Sequence, residues 1–375
     1  MNFAPDQIPL LGWGRKQWED WLVDQDCSPV HAASLIRGIH RQGEVDPERI
    51  DSIPQTVCSA LCGRIECTLP DVVESSRARD GTRKWLLRLT CGNVVEMVLI
   101  PARGRATLCL SSQAGCALGC TFCRTARSGF ERNLSTHEIV SQLWLVRHRL
   151  EPDIPVTHVV FMGMGEPLAN LDAVAGAADL FRDSHAYSLG RRQVTVSTAG
   201  LVPGIDRLRK IADVSLAVSL HAPDDALRTQ LMAINARYPI DELLAACRRY
   251  AAGRARKHKI IIEYVLLDGV NDHPECARAL AKRLRGLPCK VNLIPFNAFP
   301  GSGYAASPEP VRSRFREILC EEGIVATTRR PRGDDIAAAC GQLAGDIQRS
   351  RGHRPWIGHA IPVHGPQPAA SGAMA

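Results

Sequence analysis

The segment Cys116-Ala-Leu-Gly-Cys120-Thr-Phe-Cys123 places three cysteines within eight residues, separated by three and then two positions. On a tight loop that spacing brings three soft thiolates together, and soft thiolates select iron–sulfur clusters, zinc or copper(I) over hard cations. A structural zinc site needs a fourth Cys or His nearby. The nearest downstream candidates, His137 and His148, both fall in a stretch patterned as a helix. A three-ligand set leaves one metal position open, and an open position is a place for chemistry rather than scaffolding.

Around this loop the chain alternates strand, loop and helix. Apolar strands are expected at residues 106–112, 156–162, 192–197, 214–220, 259–267 and 289–295. Ser135-Thr-His-Glu138 is a capping box opening a helix that runs to about Leu150. Such alternation calls for a parallel sheet with right-handed crossovers. Six units over about 200 residues fit a partial barrel better than an eight-unit one. Chemistry in that architecture gathers at the C-terminal ends of strands. The cysteine loop, Gly165-Glu166, Ser197-Thr198, Ser219-Leu220-His221 and Asn297 all follow a strand. The expected fold class is therefore α/β, a partial (β/α)6 barrel over residues 102–348.

Ahead of it, residues 1–101 read as a small α+β accessory domain. Two short amphipathic helices are expected between Arg15 and Arg41, the second opening at Ser28-Pro29, and a third over residues 54–63. From Ile65 to Pro101 alternating runs are broken at Asp80-Gly81 and Gly92-Asn93, the pattern of an antiparallel meander. This domain is either a packing unit or an arm that positions RNA. Residues 349–375, rich in Pro, Gly and Ala, are expected to form a flexible tail.

A chain of 375 residues with 45% hydrophobic and 23% charged content is expected to be globular and cytoplasmic. No apolar run approaches the roughly 18 residues of a membrane span, and the N-terminus lacks a basic segment followed by an apolar one. The net charge of +7, carried mostly by arginine, favours a polyanionic partner. Candidate phosphate contacts are Arg248, Arg249, Arg254, Arg256, Lys257 and Lys259, a cluster equally well explained as a solvated helix end. Fourteen scattered cysteines do not form a secreted disulfide framework. Cys58, Cys62, Cys67, Cys91, Cys247, Cys276, Cys289 and Cys320 are expected to behave as small core hydrophobes.

The strand-end motifs each have a plain alternative. Gly163-Met-Gly165-Glu166-Pro167 lacks the third glycine of a dinucleotide fingerprint and serves equally as a tight turn, although glycines after a strand also let a ligand approach the backbone. Ser and Asn end strands routinely, and a lone His is more often structural than a ligand. Together, Ser197, Ser219, Leu220, His221 and Asn297 offer hydroxyl, amide and imidazole groups suited to a ribose, a carboxylate and an adenine edge.

The cysteine spacing resembles that of the radical S-adenosylmethionine (SAM) enzymes. With Arg-Ala-Thr-Leu-Cys109-Leu-Ser-Ser-Gln113, Gly-Met-Gly-Glu-Pro, Ser-Leu-His-Ala-Pro, Asn-Leu-Ile-Pro-Phe-Asn297 and the segment around Cys340, residues 10–350 closely resemble the RlmN/Cfr type of RNA adenosine methyltransferases. The resemblance implies that Cys116, Cys120 and Cys123 hold a 4Fe-4S cluster with SAM on the fourth iron, Gly165 and Glu166 lying against the SAM amino group. It implies that Cys340 becomes S-methylcysteine and that its methyl, activated by a second SAM, adds to carbon 2 of adenine. Cys109 is then the resolving thiol, through a transient disulfide with Cys340, and Glu96 the proton acceptor, a residue otherwise read as an outward-facing strand carboxylate. The implied partners are 23S rRNA, tRNA or both, and an electron donor such as a flavodoxin, with a monomer as the expected state and no membrane.

Three other readings stand beside this one. Methylation at carbon 8 of the same rRNA adenosine uses the same residues. A non-catalytic metal-containing RNA-binding protein has no need of Cys109, Cys340 or Glu166, and a glycyl-radical activating enzyme has no need of the Cys109 and Cys340 pair.

Overall fold

The computed structural model describes residues 7–253 and 259–343. Arg254, Arg256, Lys257, residues 344–348 of the expected core and the expected tail at 349–375 lie outside the described residues. Strands β1 (Asp71–Arg77), β2 (Arg83–Arg88), β3 (Val94–Ala102), β4 (Arg105–Cys109), β5 (His158–Phe161), β6 (Val194–Thr198), β7 (Ser215–Ser219), β8 (Ile260–Leu266), β9 (Cys289–Pro295) and β10 (Ala326–Thr328) join in one sheet of ten. Their order across the sheet is their order along the chain. Pairing is antiparallel from β1 to β4 and parallel from β4 to β10.

The parallel part is the expected partial barrel. Helices Thr136–Leu145, Leu171–Arg182, Val202–Ile211, Ile240–Ala251, Pro274–Leu284 and Glu309–Glu321 return the chain between successive parallel strands, giving six strand–helix units. β10 closes the sixth unit. Its three residues, Ala-Thr-Thr, are too short and too polar to stand out as a strand in the sequence. β8 reads Ile-Ile-Ile-Glu-Tyr-Val-Leu and is almost wholly buried, as a strand covered on both faces must be.

Local signals hold where the physics is local. Ser135 Oγ accepts from the Glu138 amide at 3.2 Å, and the Ser135 amide donates to Glu138 Oε2 at 2.9 Å, completing the capping box. That helix continues as a wider-turn segment to Leu150. The second N-terminal helix, by contrast, starts at His31 rather than at Ser28-Pro29, because those residues form a turn whose carbonyls accept from the His31 and Ala32 amides.

The N-terminal helices are fastened onto the barrel by the very histidines that were candidate zinc ligands. His137 Nδ1 accepts from the Leu11 amide at 3.3 Å, so its Nε2 donates to the Thr68 carbonyl at 3.0 Å. His148 Nε2 reaches the His40 carbonyl at 3.1 Å, and Trp144 Nε1 donates to the Ile39 carbonyl at 2.8 Å. Both rings are thereby committed to packing.

Two expectations need correction. Glu96 does not face outward: its strand carries a continuous run of buried residues where the meander is covered, and the residue is only 3% exposed. Nor are all the scattered cysteines core residues. Cys58, Cys247 and Cys289 are buried and Cys67 and Cys276 half-buried, but Cys62, Cys91 and Cys320 are exposed. Cys62 follows the end of a short helix, Cys91 occupies a hairpin turn, and Cys320 lies on a helix face turned to solvent.

Just beyond the C-terminal ends of β4 and β5 the two backbones come into close contact. A Cβ on Gly163 would sit 2.6 Å from the Leu110 carbonyl oxygen and 2.8 Å from the Ser111 nitrogen, both backbone atoms that cannot rotate away. Gly163→Ala is expected to destabilise the protein by about 1–3 kcal/mol, read as a lowered urea midpoint.

Candidate active site

A cavity of about 170 Å³ opens at the C-terminal ends of the parallel strands. Its wall includes Cys116, Cys120, Cys123, Gly165, Glu166, Ser197, Ser219, His221 and Cys340, so nine sequence-selected residues from five separate stretches of chain converge. Leu220 is not among the lining residues: its side chain is fully buried and its carbonyl accepts from Arg228 Nε at 3.1 Å. Asn297 lies one residue beyond Phe296, which does line the cavity, and its Nδ2 donates to the Pro295 carbonyl at 3.4 Å.

Burial pushes the Cys116 thiol up to about 12 and the Cys120 thiol well above the ordinary range. Thiols so placed ionise when a cation binds them, and a metal supplies that charge. Among the described residues no three His, Cys, Asp or Glu side chains converge tightly enough to share one metal ion. A polynuclear cluster distributes its ligands over separate irons, so three thiols on one cavity wall are a suitable donor set for it.

Gly165 has φ +101°, and a Cβ there would meet Gln113 Cβ at 2.5 Å. The glycine thus lets the loop fold against Gln113, whose Oε1 accepts from the Glu166 amide at 2.8 Å. The Glu166 carboxylate accepts from the Leu168 amide at 3.0 Å and the Ala199 amide at 2.8 Å. Burial raises its carboxyl above the usual value while those amides draw it down. The Thr198 hydroxyl adds a third hydrogen bond to the carboxylate.

His221 adopts a left-handed backbone, φ +59°, unusual for a residue with a side chain. Its Nδ1 accepts from the Val265 amide at 3.0 Å, which leaves the proton on Nε2, and its ring meets Phe122 edge-on with centroids 4.8 Å apart. Burial, reinforced by Arg228, lowers the imidazole to about 3. His221 is therefore neutral at physiological pH and both structural and cavity-facing.

Cys340 and Cys109 come together from opposite ends of the barrel sequence. Arg329, just past β10, places Nη1 3.9 Å from Cys340 Sγ and Nη2 2.8 Å from Glu263 Oε1. Burial lowers the Arg329 guanidinium, but Glu263 and the two thiols of Cys340 and Cys109 more than offset this, so it stays charged. Burial pushes Cys109, at the end of β4, up to about 12; Cys340 adds to the rise and Arg329 opposes it. Cys340 is accessible at residue level, yet desolvation of its thiol still raises it, against the pull of Arg329. Glu96 is paired with Lys84, Nζ to Oε1 3.7 Å.

Arg329, Glu263 and Arg228 were not singled out from the sequence. Arg329 follows the strand that was too short to read, Glu263 interrupts an apolar run, and nothing around Arg228 marks it. The basic cluster, conversely, is not brought to the site. Helix Ile240–Ala251 runs back from the cavity, so Arg248, Arg249 and Lys259 lie toward the opposite end of the barrel, and Arg249 is forked onto Asp206 at 2.9 and 2.7 Å. Its solvated-helix-end explanation fits better.

Arg228 is fully buried and donates to the carbonyls of Leu220, Ala199 and Ser219 and to Asn235 Oδ1. Arg228→Leu strands these acceptors and is expected to cost about 3 kcal/mol or more, seen as a lowered urea midpoint. Because His221 is held neutral when folded but titrates at its ordinary value when unfolded, its contribution is present above about pH 6.5 and is lost as pH falls toward 3. The urea midpoint is expected to fall with acidification over that window, less steeply in His221→Gln.

Comparison with known proteins accords with this geometry. A sequence model of the Radical SAM superfamily matches residues 110–280. The chain is 45% identical, over 95% of its own length and 98% of the relative's, to the dual-specificity RNA methyltransferase RlmN of Marinobacter nauticus. A radical SAM methyltransferase from Sphaerobacter thermophilus superposes with a TM-score of 0.82 at 40% identity, over 90% of this chain and 99% of that one. With near-full-length identity of that order, a shared barrel and the cysteine triad at its strand ends, this chain belongs to the RlmN family of radical SAM RNA methyltransferases.

Proposed function

We propose that this enzyme methylates carbon 2 of a specific adenosine in 23S rRNA and in tRNA, carrying the methyl on Cys340 and releasing the product through Cys109. The observation that supports it most directly is the grouping of Cys340, Cys109 and the charged Arg329 beside the cavity lined by Cys116, Cys120 and Cys123. The relative named above is a dual-specificity RNA methyltransferase, which favours two RNA substrates over one.

Carbon 2 of adenine is an electron-poor aromatic position and no nucleophile, so it cannot attack a methyl sulfonium directly. A 4Fe-4S cluster held by Cys116, Cys120 and Cys123, with SAM against Gly165 and Glu166, supplies the hydrogen-abstracting radical that no side chain can. The protein's own residues do the rest. Cys340 thiolate, favoured by the neighbouring guanidinium of Arg329, attacks the methyl carbon of a first SAM, forming the sulfur–methyl bond as S-adenosylhomocysteine leaves. After losing one hydrogen atom, that methyl would bond to the ring carbon and join Cys340 to the RNA, and the unpaired electron left on the ring would return to the cluster as the ring proton departs. Glu96 accepts the proton leaving the ring carbon. Cys109 thiolate then attacks Cys340 sulfur, a disulfide forms, and the carbon–sulfur bond breaks with its electron pair on the carbon, which is protonated to give the methylated base. Ser197, Ser219 and His221 line the space that would take the ribose and adenine of SAM, and Asn297 lies one residue beyond the lining Phe296.

Mass spectrometry of the anaerobically prepared protein is expected to find one methyl group on the peptide containing Cys340. Cys109→Ala is expected to accumulate a protein–RNA adduct through Cys340, and nucleosides from modified RNA to contain 2-methyladenosine rather than 8-methyladenosine. An unmodified Cys340 in protein that carries its cluster and has met SAM overturns the reading.

A further inference from the structure

Lys84 joins two parts of the molecule that the proposed chemistry needs in register. Its Nζ lies 3.7 Å from Glu96 Oε1 and 3.4 Å from the carbonyl oxygen of Ala337, three residues before Cys340. The pair is largely excluded from water, the Lys84 side chain 14% and the Glu96 side chain 4% exposed. Lys84 pairs with Val98 and Glu96 with Leu86 across β2 and β3, so the two side chains are diagonal neighbours on one face of the sheet.

The turn before Lys84 grips the same loop. The Gly333 amide donates to Asp80 Oδ2 at 3.3 Å, the Arg79 amide donates to Asp335 Oδ2 at 3.1 Å, and Arg332 Nη1 lies 3.6 Å from Asp80 Oδ2. Gly333 has φ +63°, and a Cβ there would meet Thr82 Cγ2 at 2.8 Å. On its far side the loop is held by the barrel: the Arg124 amide donates to the Gly341 carbonyl at 2.8 Å, and Thr125 Oγ1 donates to the Leu343 carbonyl. The Cys340 loop is thus clasped between the β1–β2 hairpin and the cysteine-loop helix.

We propose that Lys84 is a positioning residue that holds the Cys340 loop in register with the Glu96 carboxylate. The inference rests on the methylation chemistry proposed above. With adenine joined to Cys340 as a ring-centred radical, the ring proton passes to a Glu96 oxygen, the electron pair of the broken C–H bond stays with the ring, and the unpaired electron leaves to the iron–sulfur cluster that the proposed chemistry supplies. That transfer needs the Cys340 loop and Glu96 at one fixed separation, and they belong to different ends of the chain. Lys84 is the side chain that bonds to both. Methyl transfer from SAM to Cys340 makes no use of Glu96, so the two stages respond differently when Lys84 is removed.

The test measures both stages in the holoenzyme. Lys84→Met is expected to keep its methyl on Cys340 by mass spectrometry while single-turnover RNA methylation falls roughly ten- to a hundredfold. Lys84→Arg, which retains a cation of similar reach, is expected to recover most of the rate. RNA methylation by Lys84→Met at the wild-type rate overturns the proposal. So does loss of the Cys340 methyl in Lys84→Met with no recovery in Lys84→Arg, which is the signature of a merely structural lysine. An unmethylated Cys340 in the wild-type holoenzyme is instead a failure of the methylation reading, visible before any variant is compared.

Discussion

One buried guanidinium closes the open end of this barrel. Parallel strands terminate with carbonyls that no neighbouring strand satisfies, and a cavity at those ends strips away the water that would otherwise serve them. Arg228 answers three such carbonyls, at Ala199, Ser219 and Leu220, and steadies itself on Asn235. Burial lowers the guanidinium to about 10, which still leaves it charged at neutral pH. The loops after β6 and β7, which carry Ser197, Ser219 and His221 to the cavity, are therefore pinned by one side chain, and the left-handed backbone of His221 is sustained by that restraint.

The thiols are arranged by a second electrostatic logic. Desolvation raises Cys109, Cys116, Cys120 and Cys340 alike, which keeps them unreactive as bare thiols. Two kinds of cation separate them into roles. A metal cluster is the charge suited to Cys116 and Cys120, whereas Arg329, braced by Glu263, sits beside Cys340 and Cys109. The two pairs of thiols thereby differ in what stands next to them, the charged Arg329 beside Cys340 and Cys109 and the cavity wall at Cys116 and Cys120.

What was legible in the sequence follows the range of the forces involved. The capping box at Ser135, the turns at Asp80-Gly81 and Gly92-Asn93 and the buried strands β8 and β9 depend on neighbours along the chain, and their residues announce them. The site residues were found largely because strand-end positions recur in order and because the chain resembles a known family. Arg228, Glu263, Arg329 and Lys84 were missed because a charged residue is indistinguishable, without its partners, from a solvated one. The basic cluster at Arg248 and Arg249 misled for the reverse reason: charge is visible in sequence, but which end of a helix it occupies relative to the cavity is not. Glu96 likewise gave no sign of being covered, since burial on that face depends on packing across the sheet.

The strand order carries a consequence for how the molecule is made. Because the sheet is laid down edge to edge in chain order, each strand emerging from the ribosome finds its neighbour already in place, and no strand of the sheet has to wait for a distant strand. The exception is the hairpin around Asp80, which is synthesised early yet has its partner in the loop at 333–337, near the end of the described chain. A chain that stops short of residue 333 can therefore assemble its sheet and still lack the clasp and Cys340 together.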